Sequence, residues 1–213
     1  MGKNANFVYK SENLMPKLDE LKNHLKEGKV YRRAELAQWS KAVDRQLGLL
    51  VKDGTLEKLS QGVYYVPKKT VFGAAPPDEE TLVRSFLKDD DFLLTSPNAY
   101  NSLGVGTTQL YNKRVVYNHK RHGEFKLGGK SFFFHAKHHF PKKISQEFLV
   151  VDLVNNLAQL AEDREMVLNN VFAKAKTMEP QKLKSALMRY GNSRTKSLLA
   201  PLINHSNEAT YAH

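Results

Sequence analysis

The chain has no cysteine, and no apolar run approaches the roughly 20 residues of a membrane-spanning helix. Without thiols there can be no disulfide, no thiolate-ligated metal and no cysteine nucleophile. The N-terminus, MGKNANFVYK, has no apolar signal core. A cytoplasmic protein with no membrane segment is the expectation. Nucleotide-binding and hydrolase signatures are also missing: there is no GxxxxGK[ST], no GxGxxG following a strand, no GxSxG elbow and no HExxH pair. Glu79-Glu80 stands without a catalytic partner, and three adjacent carboxylates at Asp89, Asp90 and Asp91 cannot all face one ion from a regular element. Histidines gather at His119, His122, His135, His138 and His139, but Lys120, Arg121, Lys137, Lys142 and Lys143 interleave them. That composition makes a basic rim rather than a zinc site. The expectation is a protein with no catalytic set, no cofactor and no metal.

Acidic residues are in deficit. Against 33 Lys+Arg there are 22 Asp+Glu, for a net charge of +11 and a pI near 9.6. An excess of this size favours polyanionic partners, nucleic acid first. It is densest at the start: residues 1–70 hold 14 basic and 8 acidic side chains, residues 71–150 hold 11 and 8, and residues 151–213 hold 8 and 6.

The densest region also carries the clearest structural pattern, SKAVDRQLGLLVKDGTLEKLSQGVYYV, from Ser40 to Val66. Ser40 is a candidate N-cap. Val43, Leu47, Leu50 and Val51 recur at helical spacing, and Gly54 stands where a left-handed residue would end the helix. Leu56 and Leu59 alternate with Glu57 and Lys58, Ser60-Gln61-Gly62 forms a turn, and Val63 to Val66 is a β-branched and aromatic return strand. Upstream, Ser11 or Asn13 is placed to cap a helix running to about Lys26, with Leu14, Leu18, Leu21 and Leu25 on one face and Pro16 in its first turn. Lys29 to Tyr31 is a short extended link, and Arg33 to Trp39 a second helix. Helix, short strand, helix, helix, hairpin is the order of a winged helix-turn-helix, whose third helix enters the DNA major groove while the wing touches flanking backbone.

That order assigns DNA-contacting roles. Opposite the apolar face of the third helix stand Lys41, Asp44, Arg45, Gly48 and Lys52. Arg45 suits a bidentate contact to a guanine edge, while Lys41 and Lys52 suit phosphates as point charges. Asp44 would accept from a cytosine amine or orient Arg45. Lys58, Ser60 and Gln61 form the wing, Lys68 lies just beyond, and Arg32 and Arg33 begin the second helix within reach of phosphates.

After Val66 the run PKKTVFGAAPPDEE reads as a linker. Asp78 caps a helix with Leu82, Phe86 and Leu87 apolar. Phe92 to Thr95 is a buried strand, and Ser96-Pro97 starts a helix that Gly104 stops. Strands follow at Arg114 to Tyr117, Glu124 to Leu127 and Lys130 to Phe134, the last two joined by Gly128-Gly129. From Ser145 the periodicity is helical, with stripes through Leu149, Leu153 and Leu157, through Val167 and Val171, through Leu183 and Leu187, and finally through Leu198 and Leu202. The predicted class is α+β: a winged helix over 1–70, then a C-terminal domain over 71–213 with a mainly antiparallel α/β unit at 78–140 and helices at 145–204.

Two stretches resemble a known family. AVDRQLGLLVKDGTLEKLSQGVYYVPK resembles the N-terminal winged helix of AbiEi-type antitoxins from type IV (abortive-infection) toxin–antitoxin systems. LLTSPNAYNSLGVGTTQLYNKRVVYNHKRHGEFKLGGKSFFFHAK resembles that family's next block: a buried strand, a helix ending in Leu-Gly, a Thr-Thr-Gln start and paired strands with a Gly-rich turn. The resemblance implies a repressor of its own operon that binds double-stranded operator DNA and counters a nucleotidyltransferase-like toxin. It places the recognition-helix role on Lys41 and Arg45 and the wing role on Lys58 to Gln61. The family often has a basic residue close to the wing glycine; here Ser60-Gln61 precedes Gly62, which implies weaker wing contacts. A homodimer on an inverted repeat is compatible with this, although no dimer surface is legible. The alternative expectation is a non-catalytic module that uses the winged helix to bind another protein.

Overall fold

The computed structural model describes residues 15–71 and 73–208, so the expected caps Ser11 and Asn13, and Leu14, lie outside the described residues. The chain forms two compact units, Met1–Asp90 with Lys126–Lys130 and Asp91–Phe125 with Ser131–His213.

Among the described residues the first unit opens with helix α1 (Met15–Asn23), strand β1 (Val30–Arg32), the short helix α2 (Arg33–Leu36), helix α3 (Val43–Lys52) and the hairpin β2 (Glu57–Ser60) and β3 (Val63–Tyr65). The three strands form one sheet in the order β1-β3-β2, with Val30 opposite Tyr65, Tyr31 opposite Tyr64 and Arg32 opposite Val63. Leu21, Tyr31, Leu36, Val43, Leu47, Leu50, Leu56 and Val66 make the core. Burying side chains the size of Leu47 and Leu50 contributes roughly 1.5–3 kcal/mol each. Tyr31 also ties down the end of α1: its hydroxyl accepts from the Lys26 N–H at 2.9 Å and donates to the His24 carbonyl at 3.1 Å.

Three local expectations change. Val51 is 37% exposed, because it lies about 80° around the helix from Val43 and falls off the buried stripe. The buried stripe widens on its other side, where Gln46 is 1% exposed. Ser40 does not cap α3. The helix starts at Val43, and the Ser40 Oγ accepts from the Ala42 N–H at 3.1 Å, shaping the approach turn instead. Gly54 does end the helix as expected, with φ +76°.

The stretch read as a linker contains a second small hairpin, β4 (Lys68–Thr70) and β5 (Gly73–Ala75), with Thr70 opposite Gly73. The Tyr65 hydroxyl donates to the Ala75 carbonyl at 2.9 Å, which ties this hairpin to the wing strand. Helix α4 (Glu79–Leu87) follows, and the Asp78 side chain accepts from the Thr81 N–H as an N-cap. This helix belongs to the first compact unit, which runs to Asp90. The same unit takes in Gly128, whose N–H donates to the Leu59 carbonyl at 3.2 Å, and Lys130, paired with Glu79 at 2.7 Å.

The second unit contains β6 (Phe92–Thr95), a 3-10 helix at Pro97–Leu103 and β7 (Arg114–Asn118). With β8 (Gly123–Leu127) and β9 (Lys130–Ala136) these strands form a sheet in the order β6-β7-β9-β8. β6 pairs with β7 antiparallel, but β7 and β9 run parallel, with Val115 opposite Phe133 and Tyr117 opposite His135. The sheet is therefore mainly antiparallel, as expected, with one parallel pair at β7/β9. β8 takes the outer edge, which leaves β9 beside β7. Helices α5 (Gln146–Asn156), α6 (Arg164–Lys176), α7 (Pro180–Tyr190) and α8 (Ser193–Glu208) complete the unit. Ser145 and Asp163 cap α5 and α6 by accepting from the Phe148 and Met166 N–H groups. Their core joins Leu149, Leu153, Val167, Val171, Leu183 and Leu187 to Leu93, Leu103 and Tyr117. Among the described residues no helix is long and apolar enough to cross a membrane.

Candidate nucleic-acid interface

Helix α3 is held from one side. With Val43, Leu47 and Leu50 in the core, the opposite face carries Lys41 just before the helix, then Asp44, Arg45, Gly48 and Lys52, all exposed. Lys58, Gln61 and Lys68 are exposed on and beyond the wing. None of Lys41, Arg45, Lys52, Lys58 and Lys68 has a carboxylate partner among the described residues.

The other expected contacts are committed elsewhere. Arg32 turns inward: its Nε donates to the Ser85 carbonyl at 2.7 Å and a terminal nitrogen to Phe86 at 3.3 Å. These are carbonyls of the last turn of α4, left without intrahelical partners, and a guanidinium there also meets the negative end of the helix dipole. Arg32 thus clasps the end of α4. The Ser60 hydroxyl is buried without a hydrogen-bond partner, next to the register shift between Lys58 and Ser60. Asp44 does not orient Arg45. It accepts two hydrogen bonds from Arg33, at 2.6 and 2.5 Å.

The backbone explains that pair. The Arg33 N–H donates to the Gly62 carbonyl at 2.9 Å, so pairing of β1 with β3 carries Arg33 to the wing turn. From there its side chain reaches the first turn of α3 and fastens the wing turn to the helix. Each partner favours the charged form of the other: the hydrogen bonds and charge of Asp44 push the Arg33 guanidinium further up, and Arg33 holds the Asp44 carboxyl below its ordinary range.

The second unit carries a polar cluster that sequence reasoning missed. Asp152 is 1% exposed, in the middle of the apolar face of α5. Its oxygens accept from the hydroxyls of Tyr100 at 2.8 Å and Tyr117 at 2.9 Å, and the Lys137 Nζ lies 3.5 Å away. The Asn156 amide donates to both phenol oxygens, at 3.3 and 3.4 Å. Burial, and then the charge of Asp152, pushes both phenols well above the ordinary tyrosine value. The available signal was one acidic residue inside the apolar run FLVVDLV. The five histidines do not converge: no group of three or more metal-ligating side chains forms among the described residues. His119 pairs with Asp91 at 3.3 Å, and His122 meets His135 edge to face.

A three-helix unit closed by a β1-β3-β2 sheet, with the third helix exposing a basic face, has winged-helix architecture. Across 88% of this chain and 74% of the other, the fold is similar to the crystal structure of the RV2827C protein from Mycobacterium tuberculosis, with a TM-score of 0.54 at 14% sequence identity. At that identity the likeness is one of fold. No protein-family model matches the chain. No curated protein matches it.

Proposed function

We propose that the chain is a DNA-binding antitoxin that represses its own toxin–antitoxin operon in the cytoplasm and counteracts a nucleotidyltransferase-like toxin. The observation that carries the DNA-binding part is the exposed face of α3, where Lys41, Arg45 and Lys52 have no acidic partner among the described residues while Asp44 is occupied by Arg33. Arg45 reads a base edge, Lys41 and Lys52 meet phosphates, and the wing adds Lys58 and Gln61, with Lys68 beyond. The antitoxin part rests on the resemblance of two sequence blocks to the AbiEi type, and assigns residues 71–213 to neutralisation or assembly without a catalytic role.

A gel-shift titration on the upstream region of the gene, against a scrambled duplex at two salt concentrations, tests this. Specific, salt-sensitive shifts are expected, and Arg45→Ala is expected to lose about 1–3 kcal/mol of operator binding and relax one base position. Arg45→Ala binding as tightly as wild type would remove Arg45 from the interface. A second reading, a protein-interaction module, has one observation in its favour: Leu49 and Val51 are 38% and 37% exposed on the same helix. Equal, weak binding to both duplexes would favour it.

A further inference from the structure

The second unit contains a cleft of about 40 Å³, lined by Tyr100, Tyr111, Lys113, Tyr117, His135 and Asn156 among others. A buried water needs roughly 10–15 Å³ measured in the same way, so there is room for about three. Pockets for drug- and cofactor-sized ligands run to about 300–1,000 Å³. Only a small ligand fits.

The surrounding charges decide its sign. Tyr117 and His135 face each other across the parallel β7/β9 pair, with ring centroids 5.9 Å apart, and His122 stands 5.6 Å from His135. The Lys113 Nζ lies over the Phe133 ring at 4.6 Å and has no carboxylate partner among the described residues. Two carboxylates stand beside the lining residues. Asp152 accepts from the Tyr100 and Tyr117 phenols and faces Lys137, whose Nζ also lies 3.9 Å over the Tyr117 ring. Glu162 accepts from the Tyr111 hydroxyl and the Gln109 N–H, which leaves Lys113 and His135 without a carboxylate partner among the described residues. His135 registers the imbalance: after burial, the charges of Lys137, Lys113 and His122 lower its pKa, and only Asp152 opposes them.

We propose that this cleft binds a phosphate-sized oxyanion, held by the Lys113 ammonium and by the His135 imidazolium, which the anion keeps protonated. The proposal is independent of the DNA-binding role of α3. The shared chemistry is a phosphoryl group, and the test separates free phosphate from the phosphates of a duplex.

The experiment is a pH titration of the histidine side-chain NMR signals of the full chain in inorganic phosphate and in chloride at equal ionic strength, with His135 assigned by its loss in His135→Gln. Phosphate is expected to raise the His135 midpoint by about one unit, the low end of what an opposite charge at close range produces. The exposed His138 and His139 should not move, and Lys113→Met should weaken the phosphate effect at least tenfold. Lys113 is partly exposed and wild type carries the primary readout, so the test does not depend on how the variant folds. Equal His135 midpoints in both anions would overturn the proposal. So would an effect undiminished in Lys113→Met, or a response to a short duplex but not to free phosphate.

Discussion

Asp44→Asn isolates what the Arg33 clamp does for DNA binding. In the free protein Asp44 neutralises the cation nearest both the wing turn and the recognition helix. The pair is open to water, with 49% of the Arg33 side chain and 71% of the Asp44 side chain exposed, so parting it costs little. The amide substitution keeps the size of the side chain and removes its charge, freeing the guanidinium for a phosphate and lifting the repulsion between Asp44 and the backbone. Each additional phosphate contact steepens the slope of log K against log salt by about 0.9, so from about 50 to about 200 mM salt the variant should lose roughly 3.5-fold more affinity than wild type does. At low salt it should bind scrambled duplex more tightly than wild type, and its ratio of operator to scrambled affinity should fall. Fluorescence anisotropy on both duplexes across a salt series measures all three quantities. Arg33→Gln, which removes the freed cation, should not steepen the slope. A slope for Asp44→Asn equal to or shallower than that of wild type would refute the reasoning, because Arg33 would then gain no phosphate when released.

Other consequences concern stability. Leu50→Ala should cost about 2–5 kcal/mol in a denaturant titration, since the side chain is fully buried in the winged-helix core; a loss within error of zero would contradict that packing. Gln46→Leu should raise the thermal midpoint, because both polar atoms of the Gln46 amide are buried without partners, a penalty of about 1–3 kcal/mol per group; a fall would place a compensating ordered water there. His135 has a folded pKa below its ordinary 6.5, so its neutral form favours the fold. Its contribution is complete above about pH 6.5 and is lost as pH falls towards the folded value, so His135→Gln should flatten the acid side of the stability profile.

The apolar rhythm of the sequence was sufficient for most elements. The spacing of Val43, Leu47 and Leu50 corresponds to the buried face of α3, and the strand expected at Phe92 to Thr95 has the observed bounds. Gly128-Gly129 joins β8 and β9 as expected, with φ +54° and +74°, the left-handed pair that a two-residue hairpin turn requires. Long-range pairing was not legible. Nothing in Lys68 to Ala75 announces a hairpin, since Pro67 and Pro76 bracket the segment and apolar and polar residues do not alternate within it, and no local pattern separates a parallel β7/β9 neighbour from an antiparallel one. The side-chain commitments of the candidate interface follow the same division. Arg32 and Arg33 are adjacent and chemically identical, yet one clasps the end of α4 and the other locks onto Asp44, because successive residues leaving a strand point to opposite sides.

Two deeply buried polar side chains on apolar helical faces show what composition alone misses. Gln46 and Asp152 are each 1% exposed, and each occupies a position where an aliphatic residue would pack. Asp152 is answered by two phenols, from the 3-10 helix and β7, and by a lysine just past β9, and a network satisfied to that degree fixes how those segments meet. Gln46 is answered by none of the described residues. A local rule broken with compensation is a designed feature, whereas one broken without it marks a place where stability has been given up. That Gln46 lies beneath the face of α3 proposed to meet DNA makes its substitution informative twice. If Gln46→Leu raises the thermal midpoint and leaves operator affinity unchanged, the amide is dispensable packing. If it raises the midpoint and weakens operator binding, the looseness of α3 is itself part of how the helix fits its groove.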